Sequence, residues 1–167
     1  MGAMENVGAV TFRETLLLID VEKATRSELS RSISVIAHEL AHMWFGDLVT
    51  MNWWDGIWLN EAFASLMEVI ASEATYPEFK LWNEMNQDRS RGFGVDSLKS
   101  SRPVEFEVKS PEEAEEMFDV LTYQKGSTVL RMFETFIGEE SFKEGVRNYL
   151  NKYEYKNTHS SDLWNEL

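Results

Sequence analysis

Two of the three histidines in this 167-residue chain stand four residues apart, in His38-Glu39-Leu40-Ala41-His42. On a helix that spacing puts both imidazoles on one face, where their ring nitrogens can converge on one ion. Glu39 is offset by one position, so it sits beside the ion rather than on it and can take a proton from a water held there. The competing reading is a pair of helix histidines without metal. Chance would place this pentapeptide in a chain of this composition with a frequency of roughly 0.7%, which weighs against that reading.

A catalytic zinc wants three protein ligands and one open position. His159 lies far off in a polar segment and reads as a solvated side chain. The third ligand should therefore be a carboxylate, and Glu61 is the best candidate. It follows His42 by 19 residues, inside Trp58-Leu59-Asn60-Glu61-Ala62-Phe63-Ala64. A lone carboxylate in such an apolar setting is costly unless paired or metal-bound; the alternative is a buried, hydrogen-bonded glutamate. Two histidines and one glutamate make an open, hydrolytic set, whereas a structural zinc is closed by four side chains. Glu68 falls seven residues after Glu61, on the same helix face. It reads equally as an outer partner of a ligand histidine or as a surface glutamate.

Helices must hold these groups. Thr25 with Glu28 forms a capping box, and Ile33, Ile36, Ala37, Leu40, Ala41 and Trp44 recur at helical spacing. Gly46 is a plausible stop. Residues 48–54 read as a short extended crossing. Asp55 is the expected cap of a second helix running to about Ala74, and Pro77 the first turn of a third. Residues 91–107, with Gly92, Gly94, serines and Pro103, read as a loop. Ser110-Pro111-Glu112-Glu113 is another capping box, followed by helical patterning through Phe133 with a break near Gly126. Gly138 ends that pattern, and a further helix starts near Glu140. The first 20 residues look strand-like, with Val10, Phe12, Thr15, Leu17 and Ile19 apolar or β-favouring. The fold class expected is α+β, predominantly α-helical, with a short N-terminal β-region. The aromatic group Trp44, Phe45, Trp53, Trp54, Trp58 and Phe63 is expected to lie mostly in the core. Leu163 to Leu167 is one turn of a helix too short to stand alone, which suggests a piece excised from a longer protein.

Composition narrows the partners. Apolar residues make up 43% of the chain, enough for one globular domain. Sixteen basic against 29 acidic residues give a net charge of −13, so neither nucleic acid nor an anionic membrane is an expected partner. With no cysteine, disulfides and thiol catalysis are excluded. No apolar run approaches a membrane span, and no basic leader follows Met1. The absence of cysteine and of any Asn-x-Ser/Thr sequon suggests a cytoplasmic location.

His38-Glu39-Leu40-Ala41-His42 followed by Glu61 within Trp-Leu-Asn-Glu-Ala-Phe-Ala resembles the zinc aminopeptidases of the aminopeptidase N family. These are gluzincins with a thermolysin-like catalytic domain. Gly2-Ala3-Met4-Glu5-Asn6 matches that family's exopeptidase motif, and Tyr123-Gln124-Lys125-Gly126 is similar to its catalytic tyrosine segment. The likeness covers residues 2–167. It implies one zinc ion held by His38, His42 and Glu61, with Glu39 as general base. It further implies that Tyr123 donates to the oxyanion, and that the Gly2–Asn6 segment binds substrate, Glu5 pairing with a free α-amine. Read without the family, Glu5 is a solvated charge and Tyr123 a core residue. Val7 stands where the family usually has Trp, and Met43 and Asp47 where Gln and Asn are commoner; none of these removes a catalytic atom.

The resemblance implies an aminopeptidase catalytic domain over 1–167, acting on peptides with a free N-terminus. It also implies that a β-rich domain before it and a helical domain after it are missing. Exposed interdomain surface should then favour self-association. Two rivals remain: an endopeptidase on the same scaffold, and an inactive peptide-binding module.

Overall fold

The computed structural model, which describes residues 2–167, begins with a hairpin. Strand β1 (Ala3–Met4) pairs antiparallel with β2 (Thr11–Phe12), Ala3 opposite Phe12 and Met4 opposite Thr11. The strand-like pattern stops there. Glu14–Leu17 forms a single helical turn, α1, that buries Leu16. A side chain on Gly2 would press on Leu16, so packing against the hairpin overrides the β propensity of Thr15 and Leu17.

Helix α2 (Arg26–Ala41) starts at the expected capping box, with Thr25 and Glu28 bonding each other reciprocally. It ends at His42, four residues before Gly46. The chain then turns through Gly46, whose φ of 141° favours glycine, into strand β3 (Val49–Met51). Asp55 does not cap the next helix. Residues Trp54–Gly56 form a 3₁₀ turn closed by Gly56 N–H to Trp53 O at 3.0 Å, and helix α3 (Ile57–Thr75) continues from it.

Pro77 begins only a 3₁₀ turn. Helix α4 (Leu81–Asp96) follows and runs through Gly92 and Gly94, where a loop was expected. Gly92 packs against Gln124: an added Cβ would lie 3.4 Å from the Gln124 Cβ. A tertiary contact thus uses the glycine that reads locally as a breaker. Helix α5 (Pro111–Glu116) is capped by Ser110, and its acidic face points to solvent. A π-turn at Leu121–Lys125 leads directly into helix α6 (Gly126–Ile137). Gly138 separates this from helix α7 (Glu139–Lys152). Strand β4 (Lys156–Thr158) pairs parallel with β3, and helix α8 (Ser160–Trp164) follows.

The fold is therefore α+β and mostly helical. Helix α3 is central, packing on α2, α4, α6 and the π-turn. Its Trp58, Phe63 and Leu66 are fully buried, and Phe63 stacks on Phe45 with ring centroids 4.4 Å apart. At Gly126 an added Cβ would come within 2.7 Å of the Ala62 Cβ, so α6 can approach α3 this closely only without a side chain there. The aromatic group lies mostly inside, as expected, with Phe45, Trp58 and Phe63 buried and Trp54 half-buried, but Trp44 and Trp53 are more than half exposed. Trp44 and Leu40 edge an apolar cleft of about 780 Å³ between α2, α3 and α7. Among the described residues no helix is long and apolar enough to cross a membrane.

Candidate metal centre

Helices α2 and α3 bring three expected ligands to one point. The Nε2 atoms of His38 and His42 lie 3.1 Å apart, and Glu61 Oε2 lies 3.2 Å from the first and 3.3 Å from the second. The outer nitrogens are committed elsewhere. Nδ1–H of His38 donates to Glu68 Oε2 at 2.8 Å, and Nδ1–H of His42 to the Phe45 carbonyl at 2.9 Å. With those protons outward, both Nε2 atoms point inward at the carboxylate.

Three lone-pair donors this close repel unless a positive charge sits among them. An ion held tetrahedrally at about 2.0–2.1 Å would space its ligand atoms about 3.3 Å apart. The observed triangle fits that spacing, and the N,N,O donor set suits zinc. Electrostatics point the same way. Burial opposes a charge on His38, yet hydrogen bonds and charge from Glu61 and Glu68 outweigh it and lift its pKa to about 10. His42 is raised too, Glu61 overcoming its burial. Burial would raise Glu61, but the two imidazoles hold it down to about 2. The pocket is built to stabilise a cation at its centre.

Around this triangle stand the other expected residues. Glu39 is buried on α2, and its Oε2 has no hydrogen-bond partner among the described residues. Burial raises its pKa against the pull of both histidines. Glu5, Glu39 and His42 each bring a donor atom within 4.8 Å of the others. The Tyr123 ring lies nearly parallel to His38, at 21° with centroids 6.0 Å apart. Its hydroxyl pKa is pushed up by burial and by the Glu61 charge, so it stays a neutral donor. Gly2 and Ala3 line a cavity of about 330 Å³ together with His38, Glu39 and Tyr123. Met4, Glu5 and Asn6 do not line it. Met4 falls on the opposite face of β1, where side chains alternate, and Asn6 sits in the hairpin turn, its carbonyl accepting from Ala9 N–H. His159 is exposed, as expected.

Two features escaped side-chain patterning. The Phe45 carbonyl fixes His42, and a backbone acceptor has no residue signature; the Gly46 turn just after it is the nearest signal. Asp47 has a buried Oδ2 without a partner among the described residues. Burial, then the Glu5 charge, raises its pKa.

Residues 1–167 match the peptidase family M1 domain. The chain is 50% identical to the "Probable aminopeptidase 2" of Sulfurisphaera tokodaii and 48% identical to the "Leucyl aminopeptidase" of Saccharolobus solfataricus. It is 47% identical to the "Alanine/arginine aminopeptidase" of Saccharomyces cerevisiae. Each likeness covers 99% of this chain but only 20–21% of the relative, so the chain spans about a fifth of the length of the curated relatives it matches. With a match running from its first residue to its last, and relatives at this identity, the chain belongs to peptidase family M1.

Proposed function

We propose that this chain is the thermolysin-like catalytic core of a zinc aminopeptidase. The supporting observation is the triangle of His38 Nε2, His42 Nε2 and Glu61 Oε2, with Glu39 and Glu5 gathered at one side of it. Those three residues would hold one zinc ion, which when bound polarises a carbonyl and makes a water more acidic. Glu39 Oε2 takes the proton of the attacking water and returns it to the departing nitrogen. Its burial supports this, because a carboxylate whose pKa is raised is a stronger base and takes the water's proton more readily. The Tyr123 hydroxyl donates to the oxygen of the tetrahedral intermediate. Glu5 pairs with the free α-amine of the peptide, a charge-assisted contact that selects the chain's end over its middle.

Glu39→Gln should keep the metal, measured by elemental analysis, and lose turnover by about a hundred- to ten-thousandfold; unchanged turnover would overturn the mechanism. Acetylating the substrate's N-terminus separates the exopeptidase from an endopeptidase, since only the latter would still cleave. The chain's one-fifth share of its relatives' length supports a further point. Flanking domains, β-rich before and helical after, complete the substrate cleft and cover the apolar surface of α2, so the isolated chain binds zinc more readily than it turns over peptide.

A further inference from the structure

Tyr123 sits on a π-turn, a rare backbone form that recurs at functional sites. What holds that turn lies in a different segment, the loop between α4 and α5. Asp119 Oδ1 accepts the N–H groups of Leu121 and Thr122, both at 3.0 Å, and so caps the turn's entry. Arg102 Nη2 donates to the same Asp119 oxygen at 2.6 Å and to Thr122 Oγ1 at 3.0 Å. Beyond Tyr123, Lys125 Nζ donates to the Arg102 carbonyl at 2.9 Å and to Asp96 Oδ1 at 2.6 Å. One residue therefore grips the π-turn on both sides of Tyr123, its guanidinium before and its carbonyl after. The Arg102 side chain is only 14% exposed and Thr122 is fully buried, while the Asp119 carboxylate is 38% exposed.

We propose that Arg102 is a positioning residue for Tyr123: it fixes the π-turn that aims the phenol past His38. This rests on the reading of Tyr123 as the oxyanion donor. The chemistry is specific to arginine. Nη2 has one hydrogen for the Asp119 carboxylate and one for the Thr122 hydroxyl while Nη1 donates to the Pro103 carbonyl at 3.0 Å, and a lysine ammonium on a flexible stem does not hold its donors in that fixed plane. The Met117 carbonyl, at the end of α5, lies 3.4 Å from the same Nη2. A donor misplaced by about 1 Å costs on the order of a hundredfold in rate, so loosening this clamp should be felt in turnover and not in metal binding.

The test is a double-mutant cycle in the zinc-loaded intact polypeptide that carries this chain, assayed on a peptide with a free N-terminus. Arg102→Ala should lower kcat about 30-fold with KM within about twofold and zinc content unchanged. Arg102→Lys, which keeps one charged bond to Asp119, should recover part of the loss. Lys143→Ala, on the exposed α7 surface, should leave kcat unchanged. In a Tyr123→Phe background Arg102→Ala should cost nothing further; multiplying losses would overturn the proposal. Hydrogen exchange on the metal-free chain gives a second readout. Arg102→Ala should speed exchange at Leu121–Lys125 while α2 and α3 stay protected, and loss of protection across all three would reduce Arg102 to a general structural residue. If Tyr123→Phe is itself silent, the oxyanion reading falls, and the exchange data alone then decide whether Arg102 sets the turn.

Discussion

His38 on α2 donates its Nδ1 proton to Glu68 on α3 across 2.8 Å. Glu68 stands seven residues after Glu61, two turns along the same face, so one helix carries both a proposed ligand and the group that orients another proposed ligand. The bond fixes the tautomer that turns Nε2 of His38 inward and makes it more basic. Glu68→Ala should therefore weaken zinc binding by about 10–100-fold. Glu68→Gln, which keeps an acceptor oxygen, should weaken it less. Competition with a chromogenic chelator measures both, and equal affinity in all three proteins would show that the contact does not tune the ligand.

The charge pattern of the triangle predicts how the metal-free chain responds to pH. His38 is lifted from 6.5 to about 10 by Glu61 and Glu68 despite its burial. A group whose folded pKa is raised adds stability fully present below its unfolded value and lost as pH rises through the folded one. The chelator-treated chain should therefore lose thermal stability between about pH 6.5 and 10. Glu61 has the opposite sign: held down to about 2, it adds stability above about 4.5 that disappears as acid approaches 2. Zinc binding replaces the proton on His38 and should release about one proton near neutral pH. Calorimetry in buffers of different ionisation enthalpy reads that release, and its absence would mean His38 is already neutral.

Gly126 lies at the crossing of α6 and α3, against Ala62, the residue that follows Glu61. A Cβ there would meet the Ala62 Cβ at 2.7 Å. Gly126→Ala must push the two helices apart, and overpacking of this kind costs about 1–3 kcal/mol. Chemical denaturation should register that loss, together with weaker zinc binding, because Ala62 is Glu61's neighbour. Replacing Gly94, where an added Cβ meets nothing within 4 Å, should leave zinc binding intact. Stability of Gly126→Ala equal to the parent would show that the crossing adjusts without strain.

Much of the candidate site was legible because its chemistry is local. The spacing of His38 and His42, the capping box at Thr25 and the apolar setting of Glu61 each follow from residues a few positions apart, and the helices form as that reading requires. What failed depends on distant packing. Residues 91–96 carry two glycines and read as loop, yet they stay helical because Gly92 lets α4 meet Gln124. Thr15 and Leu17 favour strand, yet burial of Leu16 against the hairpin imposes a helical turn. The contact of His42 with the Phe45 carbonyl and the hold of Arg102 on the π-turn involve backbone atoms or residues 17 and more positions apart, and no local pattern announces either.

The apolar cleft between α2, α3 and α7 carries the last prediction. The face of α2 opposite the histidines presents Ile33, Ile36, Ala37 and Leu40, and the side chains of Leu40 and Trp44 are more than half exposed. An exposed apolar patch of this kind marks a surface that another surface covers. At a net charge of −13, copies of the chain repel one another at low salt, and that repulsion is screened as salt rises. The isolated chain should therefore self-associate more as salt increases, which sedimentation velocity would follow. Leu40→Gln with Trp44→Ser leaves the net charge alone and removes the two most exposed apolar side chains of the cleft rim. That variant should stay monomeric at salt concentrations where the parent associates, with zinc content unchanged because both positions point away from the triangle. Association that grows with salt equally in parent and variant would place the sticky surface elsewhere on the chain.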